Sequence, residues 1–276
     1  MGDCVYCGKS AGFLKSYHKE CKNSFETGKR QMLSLITSSL KERPPQEELM
    51  NKLRELSTPH FIEKNAFKTI LVQGWESSVE SAFEDGILAK EEEDVLSGLV
   101  ESFSLTQNDL DTHQCYTKLV KGAIIREVLE GKIPKRIAIE GSLPFNLQKE
   151  ESLIWFFQDV AYHEAKTTRS YAGDYSGVSI RIAKGLYYRT GAFRGHPVEK
   201  SQMVHADTGI FGVTNKHVYF TGTSKSFRIR HDKVVSLIPY SDGVGLQRDA
   251  ATAKPQIFVT GDGWFTYNLL LNVSKL

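Results

Sequence analysis

The stretch Cys4-Val-Tyr-Cys7, followed after ten residues by His18-Lys-Glu-Cys21, carries the strongest chemical signal in this 276-residue chain. The two pairs supply three thiols and one imidazole, which is the donor set of a tetrahedral structural zinc site. Residues 1–28 are too short and too polar to build an apolar core, so bound metal would have to replace that core. The spacing therefore predicts a zinc finger over 1–28, with Zn²⁺ held by Cys4, Cys7, His18 and Cys21.

Each pair of ligands has a favourable local structure. Gly8, directly after Cys7, suits the tight turn of a zinc knuckle. His18 and Cys21 are spaced i and i+3, on one face of a helix that we expect to begin near Tyr17. This order of turn and helix start resembles a treble-clef or zinc-ribbon finger. Because all four positions around the metal are filled by protein, the site is expected to be structural and not catalytic.

The composition is that of a folded protein outside the secretory pathway. Hydrophobic residues make up 40% and charged residues 25%, with a net charge of +2, and these are ordinary globular values. Three of the four cysteines lie in the predicted metal site, which excludes a disulfide framework and indicates a reducing compartment. An apolar run of about 18 residues and the apolar region of a secretory signal are both absent. The sequence predicts a cytoplasmic protein.

From about residue 29 to 130 the apolar residues follow a helical period, in a segment that becomes acidic beyond residue 57. Pro44-Pro45 ends the first run, and Thr106 with Asp109 has the spacing of an N-terminal capping box. We predict helices around 32–40, 46–56, 61–71, 75–86, 90–103 and 108–129. The stretch from Phe83 to Leu110 is similar in outline to the helical tellurite-resistance-associated (TerB-like) domains.

At about residue 131 the apolar pattern changes to short alternating runs separated by glycine-containing turns. At least seven such runs lie between Leu153 and Thr260, and strands at this spacing are typical of a sandwich or small barrel. The last stretch, from Gly263, has the pattern of an apolar helix that closes the barrel. The predicted fold class is thus α+β, with a zinc finger over 1–28, an α-helical domain over 29–130, and a β-barrel with a C-terminal capping helix over 131–276.

The C-terminal segment carries a more specific pattern, formed by three consecutive strings. These are Gly209-Ile-Phe-Gly-Val-Thr-Asn-Lys-His-Val-Tyr-Phe-Thr-Gly222, Lys225-Ser-Phe-Arg-Ile229 and Lys233-Val-Val-Ser-Leu-Ile238. They resemble the bacterial pleckstrin-homology-like and GRAM-like domains, over roughly residues 153–276. The resemblance implies a seven-stranded barrel plugged at one end by a helix. Its motifs are packing motifs, so they indicate the fold better than the function.

Basic residues of the predicted barrel form a candidate anion-binding surface. Arg228 and Arg230 share one face of a strand, while Lys184, Arg189 and Arg194 surround the glycines of the first hairpin. Pleckstrin-homology domains that bind inositol lipids use basic residues around this hairpin. A dense basic cluster is missing from it here, so a solvated strand face is the default interpretation, and attachment to an anionic membrane is an alternative.

A catalytic constellation is not recognisable in the sequence. His113 and Cys115 lie two residues apart on a predicted helix and would point in different directions, and neither a G-x-S-x-G nor an H-E-x-x-H motif occurs. We expect a non-enzymatic binding or adaptor protein, without a small-molecule substrate, whose partner is another protein or a second copy of itself. Combinations of these parts imply, by resemblance, bacterial stress-response or phage-defence proteins. The alternative is nucleic-acid binding through the basic residues of the finger, Lys9, Lys15, Lys19, Lys22, Lys29 and Arg30.

Overall fold

The computed structural model describes residues 2–84, 86–138, 141–170, 180–183, 186–188, 198–250 and 253–276. These residues form a mixed α+β structure with seven α-helices and a curled seven-stranded sheet, so the α+β part of the predicted fold class is confirmed. The chain divides into two compact units, Met1–Arg126 and Glu127–Leu276. The predicted domain boundaries at residues 28 and 130 stay predictions.

The first unit begins with a small hairpin and continues as helices. The hairpin pairs β1 (Gly2–Asp3) with β2 (Ser10–Gly12). The helices are α1 (Lys19–Glu42), α2 (Gln46–Ser57), α3 (Lys64–Ala82), α4 (Lys90–Ser102), α5 (Gln107–Leu110) and α6 (Cys115–Leu129). Helix α1 runs without interruption from the predicted finger into the helical segment and ends just before Pro44-Pro45, as expected.

Two predicted helix boundaries are wrong. The helices expected over 61–71 and 75–86 are one helix, α3, which continues through Gly74 because the missing side chain lets it approach Ile36 of α1 closely. The helix expected over 108–129 is divided into α5 and α6. The Asp111 carboxylate accepts hydrogen bonds from the Thr117 N–H at 2.9 Å and hydroxyl at 2.8 Å, so the chain turns there before α6 begins.

Two glycines of this helical core give opposite predictions for substitution by alanine. A Cβ at buried Gly74 would lie 2.7 Å from Ile36 Cδ1 and 3.1 Å from its Cβ, so Gly74→Ala is expected to destabilise the protein by about 1–3 kcal/mol. A Cβ at Gly98 of α4 would meet only the end of the flexible Gln46 side chain. Gly98→Ala is therefore the matched control and is expected to stabilise by up to about 1 kcal/mol. Urea denaturation of both variants measures the difference, and equal effects would contradict the close approach.

The second unit is built on one antiparallel sheet. Its strands are β3 (Leu153–Ser170), β4 (Ile180–Ala183), β5 (Leu186–Tyr188), β6 (Val198–Thr214), β7 (His217–Gly222), β8 (Ser226–Arg230), β9 (Val234–Pro239), β10 (Gly243–Arg248) and β11 (Gln256–Val259), and helix α7 spans Gly263–Val273. The seven-stranded sheet has the order β8-β7-β6-β3-β11-β10-β9, and among the described strands β4 and β5 form a separate two-stranded sheet.

The sheet curls into a half-barrel for two reasons. Strand β3 is 18 residues long and changes register between Phe157 and Val160, where Asp159 has a positive φ of 54°, and such bulges bend and twist a strand. The two edge strands, β8 and β9, are also joined by a single turn over His231–Lys233. Because this turn is short, one end of each edge must approach the other, so the sheet cannot be flat.

Helix α7 packs against β9 and β10, at the C-terminal position predicted for a capping helix. Its Phe265 ring contacts Trp155 with a centroid separation of 5.2 Å and Phe157 at 6.1 Å. The core of this unit also contains Phe211 and Phe258, both fully buried. Within the described ranges, none of the helices has both the length and the apolar character to cross a membrane.

Candidate metal centre

The first pair of predicted ligands lies in a tight turn between β1 and β2. The Gly8 N–H donates to the Cys4 carbonyl at 2.8 Å, and the Cys4 N–H donates to the Lys9 carbonyl at 2.7 Å. Gly8 has a φ of +68°, a left-handed conformation that glycine adopts without steric cost. The turn therefore brings the thiols of Cys4 and Cys7 to the same side of the hairpin, as the spacing predicted.

The second pair lies at the start of α1. His18 occupies the N-cap position, and Cys21 lies in the first helical turn. The Val5 N–H donates to the Ser16 carbonyl at 3.0 Å, which ties the turn of the first pair to the segment that leads into the helix. This backbone hydrogen bond places the two local structures next to each other.

All four predicted ligands come together. One ligand atom from each of Cys4, Cys7, His18 and Cys21 lies within 4.8 Å of the others, and we call these four residues the metal cluster. Around a tetrahedral zinc ion, sulfur ligands at about 2.3 Å from the metal lie roughly 3.8 Å apart. The cluster is therefore close enough to hold a metal ion.

The His18 ring is oriented to present one nitrogen to the thiols. Its Nδ1 lies 3.4 Å from Cys7 Sγ and 3.7 Å from Cys21 Sγ, while its Nε2 lies 3.0 Å from the Ser10 carbonyl oxygen. A carbonyl can only accept, so Nε2 carries the proton that is donated to it, which leaves Nδ1 with the lone pair. This is the second-sphere arrangement that usually orients a metal-binding histidine.

The electrostatics of the cluster favour a cation. Burial raises the pKa of Cys4, but the backbone N–H groups of Cys7, His18 and Tyr6 outweigh it and bring that pKa down to about 6. Burial and the neighbouring Cys7 and Cys4 thiols raise the pKa of Cys21 to about 11. The fold thus stabilises the Cys4 thiolate, while burial and the neighbouring thiols disfavour ionisation of Cys21. A metal ion would counteract this effect, since thiolates are its ligands.

The exposed surface of the finger contains apolar residues that sequence reasoning missed. Val5, Phe13 and Leu14 are largely exposed, and Tyr17 is partly so. The sequence signal that could have revealed this exposure is the apolar pair Phe13-Leu14, which lies in a segment too short to bury it. Lys9, Lys15, Lys19 and Lys22 are also exposed.

The predicted anion-binding surface of the second unit is only partly described. Arg228 and Arg230 share the exposed face of β8, opposite buried Ile229, as the alternation predicted. The Arg230 guanidinium is paired with Asp232 at 2.7 Å, so part of its charge is already neutralised. Lys184, Arg189 and Arg194 lie outside the described residues.

A buried polar cluster around Glu151 was not predicted. Its carboxylate accepts hydrogen bonds from the Thr214 hydroxyl at 2.5 Å, the Tyr219 hydroxyl at 2.8 Å and the Gln148 N–H at 2.7 Å, and it lies 2.8 Å from His217 Nδ1. Glu151, Thr214, His217 and Tyr219 are all buried. The cluster therefore has the character of a structural network that joins the segment before β3 to the β6–β7 hairpin.

The His113 and Cys115 side chains do not form a catalytic pair. The His113 ring lies 2.9 Å from Glu76 Oε1, whereas the buried Cys115 thiol lies 3.9 Å from the His113 carbonyl oxygen and not beside the ring. Burial also raises the pKa of the Cys115 thiol, which disfavours a reactive thiolate.

No protein-family model matches the chain, and no curated protein matches it significantly.

Proposed function

We propose that this protein is a non-enzymatic binding or adaptor protein built on a structural zinc finger. The observation that carries the proposal is the closed metal cluster, in which three thiols and one imidazole converge within 4.8 Å. Four protein ligands leave no position for a reacting water, unlike a catalytic zinc site. Thiolate-rich tetrahedral sites favour Zn²⁺ over Ca²⁺ or Mg²⁺, which prefer oxygen ligands.

The metal would turn the N-terminal segment into a rigid binding element. His18 and Cys21 lie at the start of α1, which further along buries Met32 and Ile36 completely. Metal binding would therefore clamp the β1–β2 hairpin to a helix that is anchored in the core. Contact between the rings of Tyr6 and Phe25, 5.1 Å apart, supports the same attachment.

For the second unit we propose a pleckstrin-homology-like interaction domain. The curled antiparallel sheet and the packing of α7 on β9 and β10 support this assignment. Strand β9 is an edge of the sheet and exposes Val235 and Ile238. An exposed apolar edge is suited to a protein partner, including a second copy of the chain. A cytoplasmic role in bacterial stress or phage defence follows from the resemblance alone.

Nucleic-acid binding by the finger is the second candidate function. Lys9, Lys15, Lys19 and Lys22 are exposed, and in the described part of the chain none of them forms an ion pair with a carboxylate. Unpaired lysines beside a rigid turn can contact phosphates, and such binding would weaken steeply with salt.

The test of the leading function combines metal content with complex formation. Full-length protein purified without chelators is expected to contain one zinc per chain, and to form a nuclease-resistant complex with itself or another protein. Val235→Glu combined with Ile238→Glu is expected to weaken that complex by about tenfold or more, because two apolar contacts are replaced by charges.

Ser236→Glu is the matched control, since it adds charge to the same exposed strand without removing an apolar side chain. Elemental analysis and analytical ultracentrifugation provide the readouts. Substoichiometric zinc, or a complex that the double variant leaves unchanged, would refute this function.

A further inference from the structure

The finger carries the most exposed large apolar side chains in the described part of the chain. Leu14 is 91% exposed, Phe13 80% and Val5 67%. We call these three residues, together with the partly exposed Tyr17, the finger tip. Scattered exposed apolar residues are ordinary, but four of them in one short segment of the finger indicate a binding surface.

The backbone at the finger tip is held in an unfavourable conformation. Leu14 has a φ of +58°, in the left-handed region that a bulky side chain rarely occupies. Turns of this kind are normally formed by glycine or asparagine. An apolar residue kept in such a turn, where it buries nothing within its own unit, points to a role outside the folded chain.

The segment that carries the finger tip is also positively charged. Residues 2–22 contain four lysines and two acidic residues. Lys9, Lys15 and Lys19 are exposed, and over the described ranges they have no ion-pair partner. The Lys22 ammonium lies over the Tyr17 ring at 5.1 Å. The same short segment thus combines exposed apolar side chains with exposed positive charge.

We propose that the finger tip binds anionic phospholipid membranes. Phe13 and Leu14 would insert between the headgroups, while the lysines of the same segment contact the headgroup phosphates. Apolar burial and lysine attraction act together at such interfaces. The proposal rests on the proposed function in one respect, namely that bound metal holds the finger in this shape.

Two other classes of partner fit the finger tip less well. Single-stranded nucleic acid stacks its bases on aromatic side chains, but only two of the four finger-tip residues, Phe13 and Tyr17, are aromatic, and the Tyr17 ring already has the Lys22 ammonium over it. A stable protein interface buries about 800 Å² on each partner. The four side chains expose on the order of 500 Å², taking about 150–200 Å² for each fully exposed large side chain. Insertion into lipid requires no comparable minimum area.

The experiment is co-sedimentation of the full-length, zinc-loaded protein with large vesicles. The vesicles contain phosphatidylcholine alone or with about 30% phosphatidylserine, and anionic lipid should strengthen binding. Phe13→Ser combined with Leu14→Ser is expected to weaken partitioning about a hundredfold, since two large apolar side chains no longer leave water. Lys15→Glu and Lys19→Glu are each expected to weaken it by about fivefold or more, and more strongly at low salt.

Leu129→Ser combined with Ile133→Ser is the matched control, because it removes two exposed apolar side chains that belong neither to the finger nor to β9 and should leave vesicle binding unchanged. Vesicle binding that persists in the Phe13 and Leu14 variant would overturn the proposal. So would retention on a single-stranded oligonucleotide without any vesicle binding, a result that supports the nucleic-acid alternative.

Zinc content and complex formation are measured on the same samples. If vesicles are not bound while one zinc and the Val235-dependent complex remain, the membrane proposal fails and the adaptor function stands. If the protein contains no zinc, the hypothesis of a zinc-bound finger fails, and the proposed function fails with it.

Discussion

Removal of the metal is expected to unfold residues 2–18 while leaving most of α1 folded. Structural zinc in small fingers contributes apparent binding free energies of about 10–16 kcal/mol, and this segment has little else to hold it. Cys4 and Ala11 are its only buried apolar residues among those described before α1. Cys21→Ser should therefore lose the metal, together with most of the free energy that orders the hairpin.

Hydrogen exchange provides the readout, in parallel with elemental analysis. Amides of residues 2–18 are expected to lose their protection, while those around Met32 and Ile36 keep theirs because that part of α1 is buried. Cys115→Ala is the matched control, since Cys115 is buried in the helical core and lies outside the metal cluster. Protection of residues 2–18 that survives both chelation and Cys21→Ser would show that the hairpin does not depend on metal.

Glu151→Ala is expected to destabilise the second unit by about 3–5 kcal/mol, because each buried polar group left without a hydrogen-bond partner costs about 1–3 kcal/mol. The loss arises because the buried Thr214 and Tyr219 hydroxyls and the His217 ring all lose the same partner. Glu150→Ala is the matched control, since the neighbouring side chain is exposed. Guanidinium denaturation followed by tryptophan fluorescence measures both variants. A cost below about 1 kcal/mol, as for a surface substitution, would contradict the network.

The pH dependence of that cost provides a second readout of the same network. Burial raises the pKa of Glu151, but hydrogen bonds from Thr214, Gln148, His217 and Tyr219 outweigh it and leave the pKa below its usual value of 4.5. A carboxyl with a lowered pKa in the folded state contributes its full stability above the unfolded pKa. That contribution is lost as the pH falls through the folded value. The difference between wild type and Glu151→Ala should therefore be constant near neutrality and shrink below about pH 4.5. A difference that grows on acidification would have the wrong sign.

Local chemistry made the N-terminal site and several element ends predictable. The Thr106 capping box is present, with the Thr106 N–H donating to the Asp109 carboxylate at 2.9 Å, because such a cap needs only residues three apart. The metal cluster was predictable for a related reason. Within each pair the two ligands are three residues apart, so the fold only has to bring the two pairs together. The alternation of Phe227, Arg228, Ile229 and Arg230 likewise follows from the geometry of one strand.

Long-range packing accounts for what the sequence did not predict. Helix α3 continues through Gly74, where the missing side chain leaves room for Ile36 of another helix. The Glu151 network joins residues more than 60 positions apart, and in the sequence Glu151 cannot be distinguished from its solvent-exposed neighbour Glu150. The exposure of Phe13 and Leu14 depends on a turn that presents them to solvent. Spacing along the chain thus specifies the metal ligands, helix caps and strand faces, because each depends on neighbours within one turn or one pleat. Tertiary structure decides where helix α3 ends, which groups surround Glu151 and which apolar side chains stay exposed. Each of these depends on which distant segments come into contact, and the periodicity of the sequence does not specify those contacts.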